Sequence, residues 1–211
     1  MFDSVLAPET KKDIEVLSRL AFIQDFYLAG GTACALHLGH RISKDLDFFS
    51  QKAFEVLRVQ QSLRKAGTFI LDYTDAQTLV GRFLSTKISL FSYDYPILKE
   101  PIFYAGLKIA ALEDIGCMKI ESISARGKKR DFIDLYFILK YWGQPLKRFF
   151  SLFEIKYKRE PFNLFHILKS IVYFKDAEKD AEPSLLVACS WEEVKSFFVE
   201  QVRSFQENLD I

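Results

Sequence analysis

The sequence predicts an α+β fold: a mixed sheet with helices over residues 1–105, followed by a helical region over 106–211 packed against it. Three observations carry that prediction. Strand-like runs are confined to the first hundred residues, whereas stretches of helical periodicity fill the chain after Pro96 and Pro101. No Pro/Gly/Ser-rich linker separates the halves, so they are expected to share a cleft. Hydrophobic residues make up 49% of the 211, which excludes wholesale disorder and supplies a sizeable core.

Pro8-Glu9 followed by Ile14, Leu17, Leu20 and Ala21 has the spacing of an opening amphipathic helix, with Pro tolerated in its first turn. Phe26–Ala29 is a short apolar strand ending in Gly30-Gly31. A helix then starts at Thr32 and stops at Gly39. Asp45-Leu46-Asp47-Phe48-Phe49 alternates like a half-buried strand, and 54–66 reads as a helix closed by Gly67. Strands follow at 68–73, 78–84 and 87–93. Helices are predicted over 112–125, 131–142, 145–157, 162–174 and 191–206, the last with Ser190 as N-cap and Glu193 three residues on.

Three scattered cysteines (Cys34, Cys117, Cys189) lack disulfide or metal spacing, and no membrane-spanning or secretory segment is visible. A cytoplasmic protein without membrane partners is the expectation. The 21 Phe and 9 Tyr read as core filling, with Phe48 and Phe49 packing behind their strand. A net charge of +1 removes the simplest argument for a nucleic-acid partner. That total hides a segregation: residues 119–159 are +7 and residues 160–211 are −5. His37 and His40 share a helical spacing but have no third ligand partner in sequence, which argues against a transition-metal site.

Chemistry concentrates between Phe26 and Phe49. Glycines at a strand-to-helix turn let backbone approach a ligand, and a helix N-terminus offers unpaired N–H groups to an anion. Asp45 and Asp47, two apart on a strand, point to one face. Paired carboxylates suit Mg²⁺, which prefers oxygen ligands and shares them with substrate phosphates. A phosphate cradle ahead of a metal-binding pair is the equipment of phosphoryl or nucleotidyl transfer.

Tyr27-Leu28-Ala29-Gly30-Gly31-Thr32-Ala33, Leu38 to Phe49, Leu112 to Lys119, Lys129 to Tyr136 and Tyr173 to Glu178 together resemble the AbiEii/AbiGii toxin family of nucleotidyltransferases. The resemblance implies a DNA-polymerase-β-like nucleotidyltransferase fold and membership in toxin–antitoxin or abortive-infection systems. It implies Mg²⁺-dependent transfer of a nucleotide from NTP to an acceptor hydroxyl, with a tRNA 3′ end as the expected acceptor and an antitoxin as a possible partner chain. By the same resemblance Gly30, Gly31 and Thr32 cradle triphosphate, Asp45 and Asp47 hold Mg²⁺, and Lys119 neutralises phosphate. Asp131 or Asp134 is the late functional aspartate, and Arg41 and Ser43 position the metal pair or substrate. Arg126, Lys128, Lys129 and Arg130 form the basic face expected to guide RNA.

Read from the residues alone, Lys119 is also a solvated lysine with a snorkelling stem, and Asp131 also a helix-start cap. Ser89 stands where polymerase-β-like enzymes carry a third strand carboxylate. Three outcomes stay open: Asp134 supplies the acid, a single metal suffices, or the chain binds a nucleotide or partner without chemistry. A small-molecule or protein acceptor is a further alternative.

Overall fold

The computed structural model describes residues 1–159 and 161–207. The opening helix α1 (Pro8–Leu17) stops before Leu20, which leads into a 3₁₀ turn at Ala21–Asp25. Strand β1 (Tyr27–Ala29) runs directly into α2 (Gly30–Leu38), and β2 (Leu46–Ser50) returns beside β1. After α3 (Val56–Ala66), strands β3 (Phe69–Thr74), β4 (Thr78–Phe83) and β5 (Thr86–Ser92) form a meander. Strands β6 (Ile102–Tyr104) and β7 (Leu107–Ile109) complete a seven-stranded sheet of order β3-β4-β5-β2-β1-β7-β6.

The sheet is mixed. β2 runs antiparallel to β1 and parallel to β5, and β7 runs parallel to β1. The β6–β7 hairpin was not predicted. Its loop is the two residues Ala105 and Gly106, both at positive φ, as a tight two-residue hairpin requires. The expected boundary at 105/106 falls inside that loop, so the sheet reaches Ile109 before the helices begin.

The rear half comprises α4 (Leu112–Arg126), α5 (Lys129–Trp142), α6 (Leu146–Lys156), α7 (Leu164–Ile171) and α8 (Trp191–Glu207). Ser190 caps α8 by accepting from the Glu193 N–H at 3.0 Å, while the Glu193 carboxylate accepts from the Tyr136 hydroxyl. α4 and α5 pack on α2, and α8 packs on α5, α6 and α7. One hydrophobic core therefore runs from the sheet through α2 into the helical half. Phe132 at its centre meets Phe174, Trp191 and Phe198 with ring centroids 5.3–5.8 Å apart. The expected ring-filled core is present there, because aromatic pairs add edge-to-face attraction to the area they bury. Among the described residues, no helix is long and apolar enough to cross a membrane.

Candidate active site

The strand-to-helix junction is tighter than the sequence reading. α2 begins at Gly30 rather than at Thr32, so both glycines lie in its first turn. Gly30 sits at φ +64°, and a Cβ there would come within 2.9 Å of Asp47 Oδ2. A Cβ on Gly31 would overlap Arg41 Nη2. The two glycines are thus needed for different contacts: one admits the Asp47 carboxylate, the other the Arg41 guanidinium. Both lie at a helix N-terminus suited to an anion.

Asp47 faces this turn from β2, where it is cross-strand from Ala29 on one side and Ser89 on the other. Burial pushes its carboxyl pKa up, the Ser89 hydroxyl opposes that by hydrogen bonding, and neighbouring Asp45 adds to it. Asp45 stands one residue before β2, its side chain 44% exposed, with Arg130 Nη1 3.9 Å from Oδ2. Both aspartates line one cleft of about 450 Å³ together with Gly30, Gly31, Arg41 and Lys119. Oxygen-only donors on one cleft fit a hard divalent cation, which would offset the burial and the Asp45 charge that raise Asp47. The register places Ser89 at the β5 position beside Asp47, where a third carboxylate would stand.

The rear aspartates occupy a different environment. Asp134 is fully buried and does not line the cleft. Its oxygens accept from Arg41 Nε at 2.6 Å, Arg41 Nη2 at 2.8 Å and His40 Nε2 at 2.8 Å, with Lys119 Nζ 2.6 Å away. Burial alone would raise its pKa, but Arg41 and Lys119 outweigh that and hold it well below the usual carboxylate range. Asp134 as a base or metal ligand is therefore corrected: its lone pairs are committed, and it holds Arg41 and Lys119 from behind. Asp131, also buried, reaches the cleft wall and accepts from Lys119 Nζ at 2.7 Å and Arg126 Nε at 3.3 Å. Lys119 is buried between the two. Burial lowers its pKa, yet the two carboxylates dominate and raise it to about 12, so it stays charged. The solvated alternative for Lys119 does not hold.

Thr32 is 1% exposed, and its hydroxyl donates to the Asp45 carbonyl and contacts Ser43 Oγ at 2.8 Å. It fastens the 43–45 loop to α2, while Ser43 and Arg41 reach the cleft. The same loop is braced from the rear half, where Arg41 pairs with Leu185 and the Ile42 N–H donates to Ser184 O at 2.9 Å. His37 donates to Ala110 O at 2.8 Å, so it turns away from His40. Cys34, His40 and Asp134 approach one another, but Asp134 is already held by two cations, as in a buried hydrogen-bonded cluster.

The basic face divides. Arg126 and Arg130 line the cleft, each with a side chain 53% exposed, and Lys128 borders an adjoining one. Lys129 does not belong to that face. It is buried, 2.5 Å from Glu182 Oε1, with its ammonium over the Trp191 ring. The sequence reading missed Phe49, Phe91 and Tyr93 on the cleft wall, together with Glu121 and Ser122. Phe49 was expected behind the strand, but it is two residues from Asp47 and shares its face, whereas Phe48 is buried. Met118, Glu121, Ser122 and Ala125 recur at the i, i+3, i+4, i+7 spacing that puts them on one side of α4, the signal that would have found them.

The chain is similar to known proteins in sequence and in fold. An uncharacterized protein of Aquifex aeolicus is 37% identical over 211 residues, covering 96% of this chain and 98% of the relative. The crystal structure of JHP933 from Helicobacter pylori shares the fold with a TM-score of 0.53 and 20% identity, over 96% of this chain and 91% of that one. MenT4, a nucleotidyltransferase toxin from Mycobacterium tuberculosis, shares it with a TM-score of 0.53 and 16% identity, over 92% and 83%. The model of the AbiEii nucleotidyl transferase toxin of type IV toxin–antitoxin systems matches residues 14–210. With the glycine turn, the aspartate pair and Lys119 around one cleft, this chain belongs to the AbiEii nucleotidyl transferase toxin family.

Proposed function

We propose that the protein transfers a nucleotide from an NTP to an acceptor hydroxyl, with RNA, in particular a tRNA 3′ end, as acceptor. The observation that supports this most strongly is the convergence of the α2 N-terminus, Asp45, Asp47 and Lys119 on one cleft. The first turn of α2 binds the triphosphate through backbone N–H groups, and Arg41, Lys119 and Arg130 neutralise it. Asp45 and Asp47 hold Mg²⁺, which when bound supplies charge stabilisation to the transferring phosphoryl group. Asp131 and Asp134 keep Lys119 charged and both Lys119 and Arg41 aimed, so that the electrostatics are organised before substrate arrives. The acceptor oxygen bonds to the α-phosphorus in line as the bond to pyrophosphate breaks, and the hydroxyl proton leaves to solvent. A cognate antitoxin follows from the family's toxin–antitoxin character.

A second reading, nucleotide binding without turnover, draws on Ser89, since a neutral hydroxyl ligates Mg²⁺ poorly and is a weak base. One experiment separates them: incubation with radioactive NTPs, Mg²⁺ and a tRNA pool. Labelling of RNA that disappears in Asp45→Ala and Asp47→Ala supports transfer. Tight NTP binding by calorimetry with no labelling supports the second reading.

A further inference from the structure

The cleft does not end at the aspartates. It meets a second cavity of about 390 Å³, and Tyr93, Glu121 and Ala125 line both. The shared wall makes the two cavities neighbours along one path, and the second is of a size that takes a small planar ligand. Its walls are rings: Tyr93, Tyr95, Phe153, Tyr157 and Phe162. These rings brace each other. Tyr93 and Tyr95 centroids are 4.6 Å apart, Tyr95 and Tyr157 4.9 Å, Phe153 and Tyr157 4.4 Å, and Phe153 and Phe162 5.2 Å. The Tyr93 and Tyr157 hydroxyls are hydrogen-bonded at 2.6 Å. Phe49 and Phe91, stacked at 5.2 Å with an interplanar angle of 30°, carry the aromatic wall back from Tyr93 to the Asp47 face.

A third cavity, which shares Arg41, Ser43, Asp45 and Arg130 with the cleft and no lining residue with the aromatic one, differs in character. It is lined by Lys44, Lys128 and Arg130 with the 41–45 loop. A nucleotide has the same asymmetry, with an anionic phosphate end and a flat base with a π-face. Aromatic walls hold bases by stacking and basic walls hold phosphates by charge.

We infer that the cavity walled by Tyr93, Tyr95, Phe153, Tyr157 and Phe162 is a nucleobase-stacking subsite, continuous with the metal-binding cleft. Asn163 and His166 stand at its exposed rim, where polar side chains meet a base edge. Asn163 Oδ1 already accepts from the His166 backbone N–H at 3.1 Å, which leaves the Asn163 amide N–H₂ and the His166 ring to face a base edge. The subsite rests on the cleft binding nucleotide phosphates, as proposed above. It goes beyond that reading by assigning the base to the helical half.

Phe162 is the wall to test, since it is only partly buried and lies between helices. Calorimetry with Mg²⁺ compares each NTP with inorganic tripolyphosphate on the full chain, for the parent, Phe162→Ala and Phe162→Tyr. Removing one stacking ring should weaken NTP binding roughly tenfold, leave tripolyphosphate binding unchanged, and be reversed by the tyrosine. If the base belongs instead to the acceptor's terminal nucleotide, NTP affinity stays at the parent level while the KM for RNA rises by a similar factor. Unchanged NTP affinity and unchanged RNA KM in a folded Phe162→Ala would overturn the subsite. Absence of tripolyphosphate binding in the parent would instead count against the phosphate cradle, so the two failures are distinguishable. A thermal melt of Phe162→Ala checks folding, and His166→Ala, altering an exposed side chain, supplies a second variant expected to change the ranking of the NTPs.

Discussion

Two pairs of aspartates, one in each half of the chain, end in opposite electrostatic states. Asp45 and Asp47 meet at the cleft, where burial and the Asp45 charge raise the cost of ionising Asp47, and Arg130 Nη1 stands 3.9 Å from Asp45 Oδ2. Asp131 and Asp134 are buried deeper, yet between them they hold Lys119, Arg41 and Arg126. Burial therefore does not distinguish a working carboxylate from a supporting one. What distinguishes them is whether the counter-charge comes from the chain or must be brought in. Under the proposed function the front pair receives a cation; the rear pair already has its cations from the protein.

The contrast is broken most directly by neutralising each pair. Asp45→Asn and Asp47→Asn should each reduce nucleotide transfer by about a thousandfold or more, equivalent to about 4 kcal/mol of transition-state stabilisation. Thermal stability should stay level or rise, because a repulsive charge has been removed. Asp134→Asn should act on the fold first. It removes the carboxylate that holds Arg41 and leaves Lys119 with Asp131 alone, and should cost ~3–5 kcal/mol in denaturant unfolding. A melting temperature that falls for Asp47→Asn and holds for Asp134→Asn would reverse the assignment.

The pH dependence of the Asp134 contribution carries its own sign. Because the Asp134 pKa is depressed in the folded state, its contribution is present above the unfolded carboxylate range and is lost as pH falls through the folded pKa. The parent should lose stability in acid along a limb that Asp134→Asn lacks. Lys119 acts in the other direction. Its folded pKa of about 12 lies above the unfolded value, so its contribution holds below the unfolded pKa and is lost as pH rises through about 12.

How much of this was legible follows the range of the interactions. The strand, Gly-Gly turn, helix and Asp-x-Asp strand are local, and each announces itself within about ten residues. Asp47 and Phe49 sharing a face is likewise period-two arithmetic, overlooked because Phe reads as core. The β6–β7 hairpin was invisible because three-residue strands are too short for alternation and Ala105-Gly106 is a weak turn signal. The burial of Asp131 and Asp134 was illegible for a different reason. Their partners are 12 and 93 residues away, at Lys119 and Arg41, and nothing in a helix pattern declares a long-range ion pair. Lys129 looked like its neighbours until Glu182 and Trp191 arrived from the acidic tail.

Ser89 sharpens the comparison by adding a carboxylate to the open pair. Ser89→Asp would set a third acid beside Asp47 in a buried position, where Asp47 itself makes no ion pair among the described residues. In chelator the variant should be about 1–3 kcal/mol less stable than the parent, the cost of a buried charge without a partner. Millimolar Mg²⁺ should recover most of that loss, since a cation held by three carboxylates stabilises the folded state by mass action. If turnover rises as well, the serine limits the rate; if stability alone recovers, it does not.

The smallest effect tests the same distinction among the cations. Lys128 and Arg130 are half exposed beside the cleft, whereas Lys129 between them is spent on Glu182 and Trp191. If RNA is the acceptor, each exposed cation that contacts a phosphate releases counterions on binding. Lys128→Gln and Arg130→Gln should then each reduce the slope of log affinity against log salt by roughly 0.7, the single-strand value. The Lys128 effect should be the weaker of the two, because Asp180 Oδ1 lies 3.1 Å from its ammonium and already neutralises part of its charge. Lys129→Gln should leave the slope alone and lower the melting temperature, since it removes an internal ion pair rather than a phosphate contact. Equal slopes across all three variants would mean that the sequence run, and not its burial pattern, determines the nucleic-acid face.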